Sequence, residues 1–167
     1  NQYGKTKLAG ERKVIQFHAN HIIVRTNLIG WNVNPCRVSS AEWIYQSLKD
    51  RQPITLFTDY TFSPIYADSL GEMILQIVDL DYKGIINVGS REACSKYEFG
   101  IMMAEVCDFD HSLISAGSIH EHQLLAKRPA CLDLNIEKLL KMGLKVPNWQ
   151  KSIERFVLSR KTVTKRN

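Results

Sequence analysis

The sequence predicts an α/β fold whose strands belong to a parallel sheet. Two short apolar runs, residues 21–26 and 84–89, are rich in isoleucine and valine, as is typical of parallel strands covered on both faces. Elsewhere the apolar residues recur at the three- and four-residue spacing of amphipathic helices. With 167 residues and no linker-like stretch, the chain has the length of one domain with a sizeable core.

The amino-terminal part combines a helix, a strand and a loop. A helix is predicted over residues 3–19, because Leu8 and Ile15 lie two turns apart on one face. The strand over residues 21–26 follows, and a long loop is predicted from 27 to 40, where glycine, asparagine and proline cluster. Ligands of α/β folds bind at the carboxyl ends of parallel strands, so the residues where this strand ends are candidate ligand contacts.

The remaining elements are delimited by capping residues, glycines and prolines. They are a helix from 39 or 40 to about 50, a strand at 54–57, an aromatic-rich loop or strand at 58–66, a helix at 67–80, a strand at 84–89, a helix at 96–106 capped by Ser95, a brief strand at 132–134, a helix at 136–142 and a last helix from 149 to about 160.

A tyrosine stands four residues before a lysine at the head of the first helix. Residues four apart share a helix face, so Tyr3 and Lys7 are expected to point into the same space. A neighbouring ammonium favours the ionised form of a phenol, which suits a tyrosine to proton transfer with a carbonyl oxygen. The spacing alone is weak, since Tyr45 and Lys49 repeat it within an ordinary amphipathic helix. We interpret this second pair as structural.

Composition excludes several classes of function. The net charge of +5 depends on four basic residues in the last eight positions; the rest holds 18 basic and 17 acidic residues. We therefore assign residues 161–167 to a basic disordered tail, assign 1–160 to the folded part, and consider nucleic-acid binding improbable. No histidine or cysteine pair has metal-ligand spacing, so no metal site is expected. Without a membrane-spanning run or signal peptide, we expect a cytoplasmic protein.

Taken in order, the motifs of the chain resemble those of the dTDP-4-dehydrorhamnose reductase family, which belongs to the extended short-chain dehydrogenase/reductase superfamily. The resemblance runs from residue 1 to about 156. The motifs are Tyr3-Gly4-Lys5-Thr6-Lys7-Leu8-Ala9-Gly10-Glu11, Val24-Arg25-Thr26-Asn27, Phe57-Thr58-Asp59, Ser63-Pro64-Ile65-Tyr66-Ala67-Asp68, Gly84-Ile85-Ile86-Asn87-Val88-Gly89, Ser95-Lys96-Tyr97-Glu98-Phe99 and Lys127-Arg128-Pro129.

The resemblance implies the C-terminal part of a Rossmann-like parallel sheet with a small α+β substrate-binding portion. It further implies reduction of a 4-keto deoxysugar linked to a nucleoside diphosphate, with NADPH or NADH as cofactor. Tyr3 would protonate the keto oxygen, and Lys7 would hold the nicotinamide ribose and stabilise the phenolate. Tyr3, Lys7, Arg25, Thr26 and Asn27 would bind the cofactor.

The same resemblance implies three contacts to the sugar nucleotide. Asn27 and Leu28 would lie along the sugar, although bacterial reductases tend to have a tryptophan where this chain has Leu28. Arg128 is a candidate for binding the diphosphate, because its forked donors match phosphate oxygens, and a plain surface charge is the alternative.

None of the nine glycines forms the phosphate-binding fingerprint G-x-G-x-x-G of dinucleotide-binding folds. We therefore expect the pyrophosphate-binding half to be missing from this chain and to be supplied in cis or in trans, with a homodimer as a further possibility. The alternative is a non-catalytic regulatory or interaction subunit of the same fold, similar to the methionine adenosyltransferase beta subunit. The upstream sequence would separate the two hypotheses.

Overall fold

The structure is a computed structural model that describes residues 1–32, 34, 36–121 and 129–163, the last three of these as backbone only. Within them the chain forms six α-helices and eight strands, in the α/β arrangement expected from the sequence. The elements are α1 (Gln2–Phe17), β1 (Ile22–Ile29), α2 (Ser40–Lys49), β2 (Ile54–Phe57), β3 (Thr61–Phe62), β4 (Pro64–Tyr66), α3 (Ala67–Asp79), β5 (Gly84–Val88), β6 (Cys94–Ser95), α4 (Lys96–Cys107), β7 (Ile114–Gly117), β8 (Cys131–Leu132), α5 (Glu137–Lys141) and α6 (Trp149–Val163).

The strands form three small sheets, and β1 is the middle strand of the first one. This sheet has the order β4-β1-β5 and is parallel throughout, which confirms the parallel sheet predicted from the apolar runs. The second sheet pairs β2 with β7 in parallel. The third has the order β6-β3-β8 and contains one antiparallel pair, β3 with β6.

Two helices begin with serine caps: Ser95 is the cap expected for α4, and of the two candidates for α2, Ser39 and Ser40, Ser39 is the cap. The Ser39 side chain accepts the backbone N–H of Glu42, and the Glu42 carboxylate accepts the backbone N–H of Ser39. Ser95 and Glu98 repeat this reciprocal arrangement at the start of α4. Each capping box satisfies two N–H groups that have no partner within the helix, which fixes where the helix begins.

The buried hydrophobic side chains form two clusters. The first cluster lies between α2, α4, α6 and β2, and its largest fully buried members are Phe99 and Phe156. The second covers one face of β1 and β5 with α3 and α5, and contains Ile77, Ile86 and Leu139. Both clusters exclude α1, none of whose residues is buried.

Two expectations about β1 are wrong. The strand continues to Ile29, so the loop predicted to begin at residue 27 starts later, because Asn27–Ile29 pair with Pro64–Tyr66 from a distant part of the chain. The strand is also not fully buried on both faces: within the predicted run, Arg25 is exposed and residues 22–24 and 26 are only half-buried.

At the carboxyl end, α6 runs to Val163 and so extends three residues into the stretch 161–167 that was assigned to a tail. None of the helices in the described part of the chain is long and apolar enough to cross a membrane.

Gly89, which follows β5, packs closely against the backbone of Ser63, near the candidate site. A Cβ at this position would lie 2.9 Å from both the Cβ and the carbonyl oxygen of Ser63. We expect Gly89→Ala to lower the free energy of unfolding by about 1–3 kcal/mol, because the Ser63 backbone has to move. Urea unfolding of the protein measures this change.

Gly71→Ala is the matched control for this substitution. Gly71 lies within α3 with no atom within 4 Å of the added Cβ, so alanine is expected to raise the free energy of unfolding by about 0.5–1 kcal/mol. Equal effects of the two substitutions would contradict the close approach between Gly89 and Ser63.

Candidate active site

Tyr3 and Lys7 occupy the first two turns of α1, which Asn1 caps by accepting the backbone N–H of Gly4 at 2.9 Å. The Lys7 ammonium lies 5.4 Å from the centroid of the Tyr3 ring, so the two side chains do share one face of the helix. Tyr3 is 70% exposed, and its hydroxyl has no hydrogen-bond partner within the described ranges. The pair is therefore accessible to a ligand.

The second tyrosine–lysine pair is structural, as the sequence analysis predicted. Tyr45 packs edge-on against Trp31 and Phe109, with ring centroids 5.2 Å and 5.5 Å away, and Lys49 is exposed. Tyr45 belongs to the edge of the first buried cluster. Spacing alone did not distinguish it from Tyr3; the packing does.

An ion pair holds α1 against the central strand. Arg25 donates through Nε and Nη2 to the two carboxylate oxygens of Glu11, at 2.8 Å and 2.6 Å. The hydrogen bond from Arg25 keeps the pKa of Glu11 below its ordinary value, and the same interaction raises the pKa of Arg25. Two donors of Arg25 are thus used within the chain, and the cofactor contact inferred for this residue stays a prediction.

The ion pair also determines which part of α1 lies beside the end of β1. A helix rises about 1.5 Å per residue and a strand about 3.3 Å. The chain reverses between α1 and β1, so Lys7, four residues before Glu11, lies at about the level of Asn27, two residues after Arg25. By the same count, Tyr3 lies at about the level of Ile29. The tyrosine–lysine pair is therefore at the carboxyl end of β1.

Asn27 is held in place at that end by a neighbouring segment. Its Oδ1 accepts the backbone N–H of Ser63 at 3.0 Å, and the hydroxyl oxygen of Ser63 accepts the N–H of Leu134 at 3.1 Å. Ser63 is buried, whereas Asn27 is half-buried. Ser63 stands in one of the sequence motifs, but no local pattern predicts its role, because its partners are 36 and 71 residues away.

The other predicted ligand contacts on β1 differ in which face of the strand they occupy. Alternation along the strand puts Arg25 and Asn27 on the face of α1, and Thr26 and Leu28 on the opposite face. The hydroxyl oxygen of Thr26 is buried and has no partner among the described residues, and Leu28 is 55% exposed. Arg128 lies outside the described residues.

Asp59 is a second residue whose role the sequence did not reveal. Its carboxylate accepts the hydroxyl of Ser118 and, at 2.8 Å, the backbone N–H of Ile119. The hydrogen bond from Ser118, followed by that from Ile119, keeps the pKa of Asp59 below its ordinary value. Two residues further on, the N–H of Thr61 donates to the carbonyl of Ala130. Residues 59–61 therefore bind the chain on both sides of the stretch 122–128.

The clefts near β1 and the titratable groups give no sign of a metal centre. A cleft of about 410 Å³ is lined by residues that include Arg25, Asn87 and Lys138, but these groups bind within the chain: Asn87 donates to the carbonyl of Asn135, and Lys138 donates to the carbonyl of Ile85. In the part of the chain that the structure describes, no three His, Cys, Asp or Glu side chains are grouped closely enough to hold a metal ion.

Comparison with known proteins identifies one family and several relatives. The family model described as the RmlD substrate binding domain matches residues 1–161. A probable low-salt glycan biosynthesis reductase, Agl14, of Haloferax volcanii is 28% identical over 141 residues, covering 81% of this chain and 47% of that protein. The dTDP-4-dehydrorhamnose reductase of Aggregatibacter actinomycetemcomitans is 26% identical over 167 residues, covering 91% of this chain and 55% of that protein.

Solved structures show the same relationship. A dTDP-4-dehydrorhamnose reductase from Bacillus anthracis, in complex with NADP, aligns with a TM-score of 0.85 and 28% identity over 95% of this chain and 56% of that one. A UDP-N-acetylglucosamine 4-epimerase from Bacillus cereus aligns with a TM-score of 0.67 at 16% identity, which shows the shared fold alone. The chain spans about half the length of the curated relatives it matches.

The ion pair between Glu11 and Arg25 predicts a pH-dependent attachment of α1. We expect Arg25→Met to lower the amide-exchange protection of residues 2–17 by about two- to fivefold at neutral pH, the loss of about 0.5–1 kcal/mol that is usual for partly exposed ion pairs. The folded pKa of Glu11 is lowered, so its contribution is present above the ordinary carboxyl pKa and is lost as the pH falls through the lowered value.

Hydrogen exchange followed by mass spectrometry at several pH values measures this effect. Arg12→Met is the matched control, because Arg12 is exposed on the same helix and forms no ion pair with the described residues. The attachment is disproved if the two variants exchange alike at neutral pH, or if the difference persists once Glu11 is protonated.

Proposed function

The chain belongs to the RmlD substrate-binding-domain family, and we propose that it provides the substrate-binding part of an NAD(P)H-dependent enzyme that reduces the 4-keto group of a nucleoside-diphosphate deoxysugar. The observation that carries the proposal is the exposed Tyr3 with the Lys7 ammonium beside its ring. Counted from the Glu11–Arg25 pair by the rise of a helix and of a strand, the two residues lie near the carboxyl end of the middle strand. Relatives of this chain are named as dTDP-4-dehydrorhamnose reductases, which supports the substrate class.

Tyr3 acts as the general acid in this proposal. A reduced nicotinamide, when bound, supplies a hydride to the keto carbon. The Tyr3 hydroxyl gives its proton to the keto oxygen, so that the C=O group becomes a secondary alcohol and the phenolate afterwards regains a proton from water. General acid catalysis of this kind contributes about 10²- to 10⁴-fold to a rate.

Lys7 assists by its charge and its position. An ammonium near the ring stabilises the negative charge that develops on the phenol oxygen as the proton leaves. Its three N–H donors also suit the ribose hydroxyls of a nicotinamide nucleotide, the role that the family resemblance implies. Both residues are exposed, and neither is taken up by another described side chain, so this part of the site fits the cofactor.

A dinucleotide-binding portion, in cis or in trans, completes the site in this proposal. A 16-residue helix without tertiary packing is marginally stable in water, and α1 has no buried residue. A seven-residue spacing along α1 puts Tyr3, Gly10 and Phe17 on one face of the helix. Phe17 is 66% exposed. Within the described residues, Ile22–Thr26 pair with β5 only. That portion would cover this helix and this strand edge and would bind the pyrophosphate.

Asn27, Leu28 and Arg128 remain the proposed contacts to the sugar nucleotide. Asn27 lies on the α1 face of the strand at about the level of Lys7, which favours it over Leu28 as a direct contact to the reacting part of the ligand. Thr26, on the opposite face, is the least favoured of the cofactor contacts.

Substitution of Tyr3 tests the proposed reaction. In the full-length protein that contains this sequence, Tyr3→Phe removes only the hydroxyl and is expected to lower kcat by about 10²- to 10⁴-fold with dTDP-4-dehydrorhamnose, while the Kd of NADPH stays unchanged. NADPH oxidation followed at 340 nm measures kcat. Tyr45→Phe makes the same chemical change away from the site and should leave kcat unchanged.

Two results would decide against the proposal. Near-normal turnover by Tyr3→Phe would remove Tyr3 from the proton transfer. A wild-type protein that binds NADPH but does not oxidise it, whichever 4-keto sugar nucleotide is added, would favour the non-catalytic, regulatory interpretation.

A further inference from the structure

We propose that Asn27 is a specificity residue that offers a hydrogen-bond donor of fixed orientation, its Nδ2 amide group, to an acceptor oxygen of the ligand at the carboxyl end of β1. The inference rests on the proposed function for the identity of the ligands, either the sugar nucleotide or the nicotinamide carboxamide. The orientation itself follows from contacts within the chain.

The backbone of Ser63 determines which end of the Asn27 amide faces outward. A backbone N–H can only donate, so the side-chain atom 3.0 Å from the Ser63 nitrogen has to be Oδ1. A rotation of the amide by 180° would bring Nδ2 opposite that N–H, with two donors facing each other. The NH₂ group is therefore directed away from Ser63, and it has no hydrogen-bond partner among the described residues.

Ser63 is immobilised by several segments, so its N–H is a rigid reference. Its side chain is buried, its hydroxyl oxygen accepts the N–H of Leu134, and its carbonyl accepts the N–H of Ser90 at 3.4 Å. Gly89 approaches Ser63 so closely that a Cβ there would lie 2.9 Å from the Ser63 carbonyl oxygen, and Pro64 restricts the backbone immediately after Ser63. A rotation of the Asn27 amide would therefore leave the Ser63 N–H, which is held in place, without its acceptor.

The free NH₂ group lies where the ligand would react. Asn27 shares the strand face of Arg25, on which the ion pair with Glu11 places α1, and lies at about the level of Lys7. A side chain that only donates selects ligand groups that accept, such as a carbonyl oxygen or a carboxamide oxygen. Asn27 would thus discriminate against ligands that present only a donor at this position.

The substitution Asn27→Asp changes the outward end of the side chain and keeps the end that binds Ser63. A carboxylate can still accept the Ser63 N–H, but it replaces the outward donor by an acceptor. In the full-length protein we expect the Kd of one ligand, NADPH or dTDP-rhamnose, to rise about tenfold or more. The hydrogen bond from the amide to the ligand oxygen would be replaced by repulsion between that oxygen and a carboxylate oxygen. Isothermal titration calorimetry with each ligand alone identifies which one carries the acceptor, and it needs no turnover.

The pH dependence distinguishes a lost donor from a disturbed structure. A protonated carboxyl group accepts with one oxygen and donates with the other, as the amide does. The ratio of Kd between Asn27→Asp and wild type is therefore expected to fall as the pH is lowered from about 8 to about 5, toward the range in which an aspartic acid binds its proton. A purely structural defect would not be repaired by acid.

Asn87→Asp is the matched control, since Asn87 lies on the neighbouring strand in register with Arg25 and donates to the carbonyl of Asn135. It adds the same charge to the same sheet and should change neither Kd. The inference is overturned if Asn27→Asp binds both ligands as wild type does, or if both variants weaken binding equally and without pH dependence. A wild type that binds ligands but reduces no sugar would refute the proposed function only.

Discussion

The bidentate ion pair between Glu11 and Arg25 is the contact on which the geometry of the site depends. Helix α1 has no buried residue, so the level at which it lies along β1 is set by this pair together with the short connection of residues 18–21. It brings Tyr3 and Lys7 to the strand end that also carries Asn27. An ion pair that remains partly exposed contributes little free energy, about 1 kcal/mol at most, but it is specific in geometry because both oxygens and two nitrogens take part.

The second constraint is the junction at Ser63, where three segments distant in sequence meet. The end of β1, the turn after β5 and the segment that follows β8 all form hydrogen bonds with Ser63. Buried polar groups are costly when unpaired, so this network holds the Asn27 amide in one orientation. Asp59 acts similarly for the chain before residue 122, through a carboxylate whose pKa is lowered by the hydrogen bonds it accepts.

Much of the local structure could be predicted from the sequence, because it depends on neighbouring residues. The caps at Ser39 or Ser40 and at Ser95, the strand at 84–89 and the helical stripes are short-range patterns, and the structure confirms them, with Ser39 as the first cap. The end of β1 could not be predicted, since Asn27–Ile29 become a strand only through pairing with β4. The exposure of α1 likewise depends on what the rest of the fold covers.

By itself, the sequence determined that Tyr3 and Lys7 share a helix face, since a four-residue separation on a helix has that consequence wherever the helix lies. It could not distinguish this pair from Tyr45 and Lys49. Only the tertiary structure decided between them, because it packs Tyr45 against Trp31 and leaves Tyr3 open at the end of a strand. Helical periodicity is a property of adjacent residues, whereas burial depends on contacts between residues far apart in the chain.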